Sequence, residues 1–152
     1  MTQNELVTLL EYIVSRGKEA IQQNTGLVDL PLDYVAIFTK DQAEFDRLKT
    51  FVSGIGILHD ESKTGETYIL KDIMPVLGFP LKVLKIRKPD ITRPYRGAPD
   101  FRVNDYSAFK EKYIQGGNFS LMVRKDFEML ELKGNDVLVY FPDKPVTQQL
   151  GL

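Results

Sequence analysis

At 152 residues, with 43% hydrophobic and 27% charged side chains and a net charge of -1, the chain has the make-up of one folded domain. It has material for two packed layers but not for two independent enzymes. The near-neutral balance excludes a global attraction to nucleic acid or anionic membrane, so any recognition of anions is local. The absence of cysteine excludes a disulfide framework, a thiolate zinc site and a cysteine nucleophile.

Acidic and polar residues stand at the N-terminus where a signal peptide needs a basic segment and an apolar run, and no apolar stretch approaches about 18 residues. The expected location is cytoplasmic. Thr2 and Glu5 have capping-box spacing, and Leu6, Leu9, Leu10, Ile13, Val14 and Ile21 recur at helical intervals, which predicts a helix from about Gln3 to Asn24. Asn24-Thr25-Gly26 supplies a left-handed stop, and Pro31 prevents a restart. The apolar stripe must lie on a sheet or on a partner chain.

Tyr34 to Phe38 reads as a strand; Asp41 and Glu44 open a helix whose stripe is Phe45, Leu48, Phe51, Val52 and Ile55. Ile57 to Glu61 and Thr67 to Lys71 predict a hairpin, Asp72 to Pro80 a proline-containing loop, and Leu81 to Lys88 a further strand. Beyond a basic connector, Asp100 to Val103 is strand-like, Asp105 opens a helix carrying Phe109 and Tyr113, and Gly116-Gly117 ends it. Phe119 to Arg124, Glu128 to Lys133 and Val137 to Phe141 predict three strands, the last two joined by a tight Gly134-Asn135 turn, and a loose tail follows Pro142. Strand, helix and three strands thus occur twice, and Asp41-x-x-x-Phe45 recurs as Asp105-x-x-x-Phe109.

This doubled order over Leu32 to Pro142 resembles the vicinal oxygen chelate superfamily, which includes glyoxalase, bleomycin-resistance proteins and extradiol dioxygenases. The segment Lys88 to Phe101, with Arg93-Pro94-Tyr95-Arg96-Gly97, is similar to an uncharacterised bacterial branch of it. The resemblance implies an α+β fold: two βαβββ modules forming an open, curled, mixed sheet around a cleft, with an extra N-terminal helix. Residues 1–30 then hold that helix, 31–88 the first module, 89–98 the connector, 99–143 the second module and 144–152 a tail, all in a single domain.

Metal-binding members of the superfamily place His, Gln or Glu on the first and last strand of each module. Here the first strands offer Asp33-Tyr34 and Asp100-Phe101, and neither Val83 to Arg87 nor Val137 to Phe141 contains a carboxylate or imidazole. Lys85 and Arg87 bring positive charge to where a cation would bind. The superfamily's metal is therefore expected to be absent, with no cofactor in its place.

The span Lys82 to Arg102 holds seven Lys or Arg and two Asp. Strand alternation puts Lys85 and Arg87 on one face; if that face lines the cleft, they form with Arg93, Arg96 or Arg102 a pocket for a carboxylate or phosphate. Otherwise the strand is solvated and its charges are balanced by Asp90 and Asp100. His59, the one histidine, is either a general base oriented by Glu61 or an edge-strand surface residue. Asp33 and Asp100 either face each other across the cleft, sharing a proton or a cation, or cap the turns after Pro31 and Pro99. Tyr95, Tyr106, Tyr113, Tyr140, Phe119 and Phe141 are candidates for a cleft floor or for the core.

Three functions follow. The first is a metal-independent domain binding a small anionic molecule in the cleft between modules. The second is a metal-dependent lyase, isomerase or dioxygenase using Asp33, Asp100 and Glu66 or Glu131. The third is an interaction module or homodimer built through the first helix.

Overall fold

The computed structural model covers Met1–Leu152. Helix α1 (Gln3–Thr25) starts where the Thr2 hydroxyl accepts from the Glu5 N–H at 3.2 Å and stops at Gly26, whose φ of 76° is left-handed. Strand β1 (Leu32–Phe38), helix α2 (Gln42–Ile55) and strands β2 (Gly56–Ser62), β3 (Gly65–Val76) and β4 (Phe79–Arg87) form the first module. Strand β5 (Gly97–Phe101), helix α3 (Tyr106–Tyr113) and strands β6 (Phe119–Val123), β7 (Glu128–Lys133) and β8 (Leu138–Pro142) form the second, followed by a short helix α4 (Val146–Gln149).

All eight strands join one open, mixed sheet in the order β2-β3-β4-β1-β5-β8-β7-β6. Each module's first strand runs parallel to its last, β1 with β4 and β5 with β8, and the antiparallel β1–β5 pair welds the two modules. The duplicated Asp-x-x-x-Phe has a duplicated job. Asp41 and Asp105 each cap a helix through the N–H three residues on, at 2.8 and 3.1 Å, while Phe45 and Phe109 are buried beneath the first turn.

The α+β architecture of paired βαβββ modules matches the expectation from sequence, and four details differ. Residues 72–76 and 79–80 are strand, not loop: a two-residue turn at Leu77 and Gly78, with φ of 50° and 81°, joins β3 to β4 and sets Pro75 opposite Pro80. Proline is tolerated there because β2 pairs no further than Leu70 and β1 no earlier than Leu84, so the missing N–H groups have no strand to serve. Strand β5 begins at Gly97, inside the expected connector. The β7–β8 turn puts its left-handed residue at Asp136, φ 66°, with the Gly134 N–H bonded to the Val137 carbonyl at 2.9 Å, so it is longer than a Gly134-Asn135 turn. The tail is held in place: Thr147 is buried, and its N–H donates to Asp33 Oδ2 at 3.2 Å.

Helix α1 lays its stripe on this chain's own sheet. Leu6, Leu10, Ile13 and Val14 are fully buried, each contributing roughly 1.5–3 kcal/mol of transfer free energy. The approach to β5 is close: a Cβ on Gly17 would lie 2.6 Å from Pro99 Cγ, and one on Gly97 2.7 Å from both the Ala36 carbonyl and Ile13 Cδ1. Helices α1, α2 and α3 and the main core lie on one face of the sheet, and the opposite face carries a small cluster of Ala36, Phe38, Ala98 and Leu138.

Candidate functional site

Alternation along β4 sends Leu84 and Ile86 into the helix-side core and Lys85 and Arg87 to the opposite face, where they line a cavity of 440 Å³. Both modules build it. Tyr34, Ala36 and Phe38 come from β1, Thr64 from the β2–β3 turn, Asp100 from β5, Tyr140 from β8 and Met129 from β7. Arg124 and Phe127 reach in from the β6–β7 loop, Arg93 from the connector and Val146 from α4.

The cations are short of partners. Lys85 Nζ donates to Thr64 Oγ1 at 2.8 Å, the Arg87 guanidinium stacks over Phe38 at 4.8 Å, and neither forms an ion pair within the protein. Burial, and then the charge of Arg87, holds the Lys85 ammonium below its usual pKa, against a weaker opposing pull from Asp60. Burial, and then Arg93, does the same to Arg87. Arg93 is better supported: it donates to Tyr140 Oη at 2.9 Å and lies 3.8 Å from Glu131, yet its buried Nε has no partner.

Asp100 sits in the middle strand of a row, directly opposite Tyr34 on β1 and Tyr140 on β8. It is 3% exposed, and its Oδ1 has no hydrogen-bond partner. Burial, and then the nearby Asp33 charge, raises its carboxyl pKa well above the usual range. Tyr34 is raised well above its ordinary value by burial and then by Asp100, and Tyr140 is pushed up to about 12 by burial and Glu131. Across the sheet from Lys85 and Arg87, the row of Tyr34, Asp100 and Tyr140 thus presents hydroxyl and carboxyl groups, with Arg93 bonded to Tyr140 and Arg124 reaching in from the β6–β7 loop.

Of the basic residues singled out from sequence, Lys85, Arg87 and Arg93 share this cavity, while Arg96 and Arg102 are engaged elsewhere. Arg96 clamps Glu44 with two bonds of 2.7 and 2.8 Å and donates to the Phe38 carbonyl, tying the connector to α2. Arg102 bonds Asp33 at 2.8 Å through Nε and reaches Thr147, pinning α4 at the rim. His59 stands exposed at a bulge in the edge strand β2. Glu66 faces α2, bonded to Tyr68 at 2.6 Å and Lys49 at 3.0 Å. Of the aromatics, Tyr140 lines the cavity, whereas Tyr113 and Phe119 pack with Phe109 and Phe141 on the helix side. Sequence reasoning passed over Tyr34, Arg124, Phe127 and Met129 as site residues. Tyr34 was legible, since it alternates with Ala36 and Phe38 on one face of β1, whereas the loop residues carry no such periodicity.

The resemblance drawn from sequence would put a divalent cation on cleft-facing positions of β1, β4, β5 and β8. Here the cavity's contributions from those strands are Tyr34, Ala36, Phe38, Lys85, Arg87, Asp100 and Tyr140, one carboxylate among two cations and two phenols. Asp33, Asp100, Glu66 and Glu131 do not converge, and nowhere do three His, Asp or Glu side chains gather as a metal site. The residues present do not fit a divalent metal.

No protein-family model matches the chain, and no curated protein matches it. Among solved structures it is similar to Protein EC4020, a structural-genomics target, with 14% identity and a TM-score of 0.70 over 99% of this chain and 96% of that one. It is also similar to a glyoxalase/bleomycin resistance protein/dioxygenase superfamily member from Vibrio splendidus 12B01, with 10% identity and a TM-score of 0.50 over 75% of this chain and 98% of that one. No helix is long and apolar enough to cross a membrane. At such identities the likeness is one of architecture: the chain has the paired-module fold of the glyoxalase, bleomycin-resistance and dioxygenase superfamily.

Proposed function

We propose that the cavity between the modules binds a small anionic molecule without a metal. The observation that carries this reading is the Lys85–Arg87 pair: two cations on one face of β4, partly buried, with no carboxylate partner. Like charges held together in a poorly solvated site destabilise each other, and an anion placed between them relieves the repulsion while accepting charge-assisted hydrogen bonds. The unpartnered Nε of Arg93 adds a donor, its guanidinium 5.9 Å from the Phe38 ring on which Arg87 also stacks. The superfamily's architecture supports a ligand in this cleft, and the donor chemistry supports an anion rather than a cation.

Arg87→Met tests the reading, because it keeps the apolar stem against Phe38 and removes only the guanidinium. Inorganic phosphate and small carboxylates should raise the melting temperature of the wild-type protein, less so at high salt. In Arg87→Met the anion affinity should fall about tenfold to a hundredfold, the range for a lost charged hydrogen bond, while the ligand-free melting temperature holds or rises. Lys133→Ala, on the exposed end of β7, serves as the control. Equal anion responses in wild type and Arg87→Met would refute the site.

A further inference from the structure

Lys85 and Arg87 account for one end of the cavity, and the opposite end holds a group they do not use. The Asp100 side chain is 3% exposed and faces the cavity, and its Oδ1 is without a partner. Every other buried acid in the protein has one: Asp33 takes Arg102 and Thr147, Glu44 takes Arg96, Glu66 takes Lys49 and Tyr68, and Glu131 takes Arg93. Buried polar groups left unpaired in native proteins are rare and invite a functional account.

The surroundings define what Asp100 can do. The titratable groups facing it are Tyr34 and Asp33 on β1 and Tyr140 on β8. None is a cation, and no ion pair reaches the carboxyl. Burial and the Asp33 charge raise its pKa, which favours the protonated carboxyl, the form with an O–H to donate. Between it and the cations lie Tyr34, directly across on β1, and beside it an alanine row: Lys85 pairs with Ala36, and Ala36 with Ala98. Those methyl groups leave the floor low. Strands β4 and β5 lie two strand spacings apart, about 10 Å, and Asp100 stands two residues, about 7 Å, along β5 from the Lys85 row; a short molecule spans this diagonal once Lys85 leaves Thr64 and extends inward.

Resting on the anion-binding reading, we propose that Asp100 is the cavity's hydrogen-bond donor toward a neutral carbonyl or a second acid oxygen. The ligand class is then a short oxoacid, such as a 2-oxo acid, whose carboxylate meets Lys85 and Arg87 and whose further oxygen accepts from Asp100. A saturated monocarboxylate satisfies the cations and leaves Asp100 as unpaired as before. The discrimination between the two is what retains an otherwise costly buried acid, because a site built to hydrogen-bond a polar group rejects the analogue that lacks it.

The experiment compares pyruvate with propionate, which differ by the ketone oxygen, by calorimetric titration of the full chain. The wild-type protein should prefer pyruvate by about tenfold, the size of one hydrogen bond to an otherwise unpaired buried group. Asp100→Leu should bring the ratio to about one with propionate affinity unchanged, whereas Asp100→Asn, which retains a donor, should keep most of the preference. Infrared difference spectra at neutral pH should show a protonated-carboxyl stretch that Asp100→Asn removes, a readout that stands even if Asp100→Leu fails to fold. Equal wild-type affinities, a preference that survives Asp100→Leu, or the absence of that band would each overturn the assignment. Failure of the wild type to bind either acid or phosphate would overturn the anion site and this assignment with it.

Discussion

Replacing Asp100 with Asn should stabilise the protein at neutral pH, and the gain should shrink as the pH falls. In the unfolded chain an aspartate titrates near about 3.9, whereas in the fold burial and Asp33 hold the Asp100 carboxyl well above the ordinary range. Below the unfolded value both states are protonated and the residue makes no pH-dependent contribution. Above it the unfolded chain ionises while the folded one stays neutral, so the unfolded state binds fewer protons and stability declines with rising pH. The slope is at most about 1.4 kcal/mol per pH unit, and it ends at the folded pKa. Asparagine never titrates, so the difference between the two proteins isolates this residue from the opposite behaviour of Glu44. Urea denaturation of both, at intervals between about pH 4 and pH 7, measures the difference directly. In thermal scans each kcal/mol corresponds to about 2–4 °C for a chain of this size. Parallel curves, with a constant offset across the range, would refute the claim that Asp100 is buried as a neutral acid.

Two further variants probe the frame that holds the cavity. Arg96→Ala strips the two-pronged partner from Glu44, which is 5% exposed, and should cost about 3 kcal/mol at neutral pH. Burial pushes the Glu44 carboxyl up, but the Arg96 bonds and the Lys40 N–H outweigh it and leave the pKa lowered. The pair's contribution is therefore present above the unfolded glutamate value of about 4.3 and is lost as the pH falls through the folded one, so the cost should shrink in acid. Gly17→Ala improves helix propensity by about 1 kcal/mol yet drives a methyl to 2.6 Å from Pro99 Cγ. Denaturant melts should show net destabilisation of about 1–3 kcal/mol from overpacking, and a stabilised variant would mean that α1 does not dock tightly on β5.

Much of the frame could be read from local pattern. The caps at Thr2, Asp41 and Asp105, the stripes of α1 and α2 and the alternation in β4 are short-range signals, set by hydrogen bonds to the first free N–H groups and by which side chains must leave water. Their recurrence in the second half carried the paired-module architecture. What local pattern misread was chain whose state depends on distant partners: residues 72–76 became strand because β4 lies alongside, and the tail became ordered because Asp33, 114 positions away in sequence, accepts from Thr147.

The candidate site divides along the same line. That Lys85 and Arg87 share a face follows from the period of two along any strand, and that Arg93, Arg96 and Arg102 stand close by follows from chain connectivity. Which basic side chains point into the cavity does not follow, because an arginine's long stem turns toward whatever acid the fold offers. Glu44 takes Arg96 and Asp33 takes Arg102, leaving Lys85, Arg87 and Arg93 at the cavity. The state of Asp100 was the least legible of all, since residue type dictates an ionised aspartate. Only the sheet register, which sets Asp100 between Tyr34 and Tyr140 beneath the surface, raises its pKa. Sequence alone determined the elements and their duplication, because those depend on neighbours within a few residues. Tertiary structure decided pairing and protonation, because burial and long-range charge exist only once the two halves have joined.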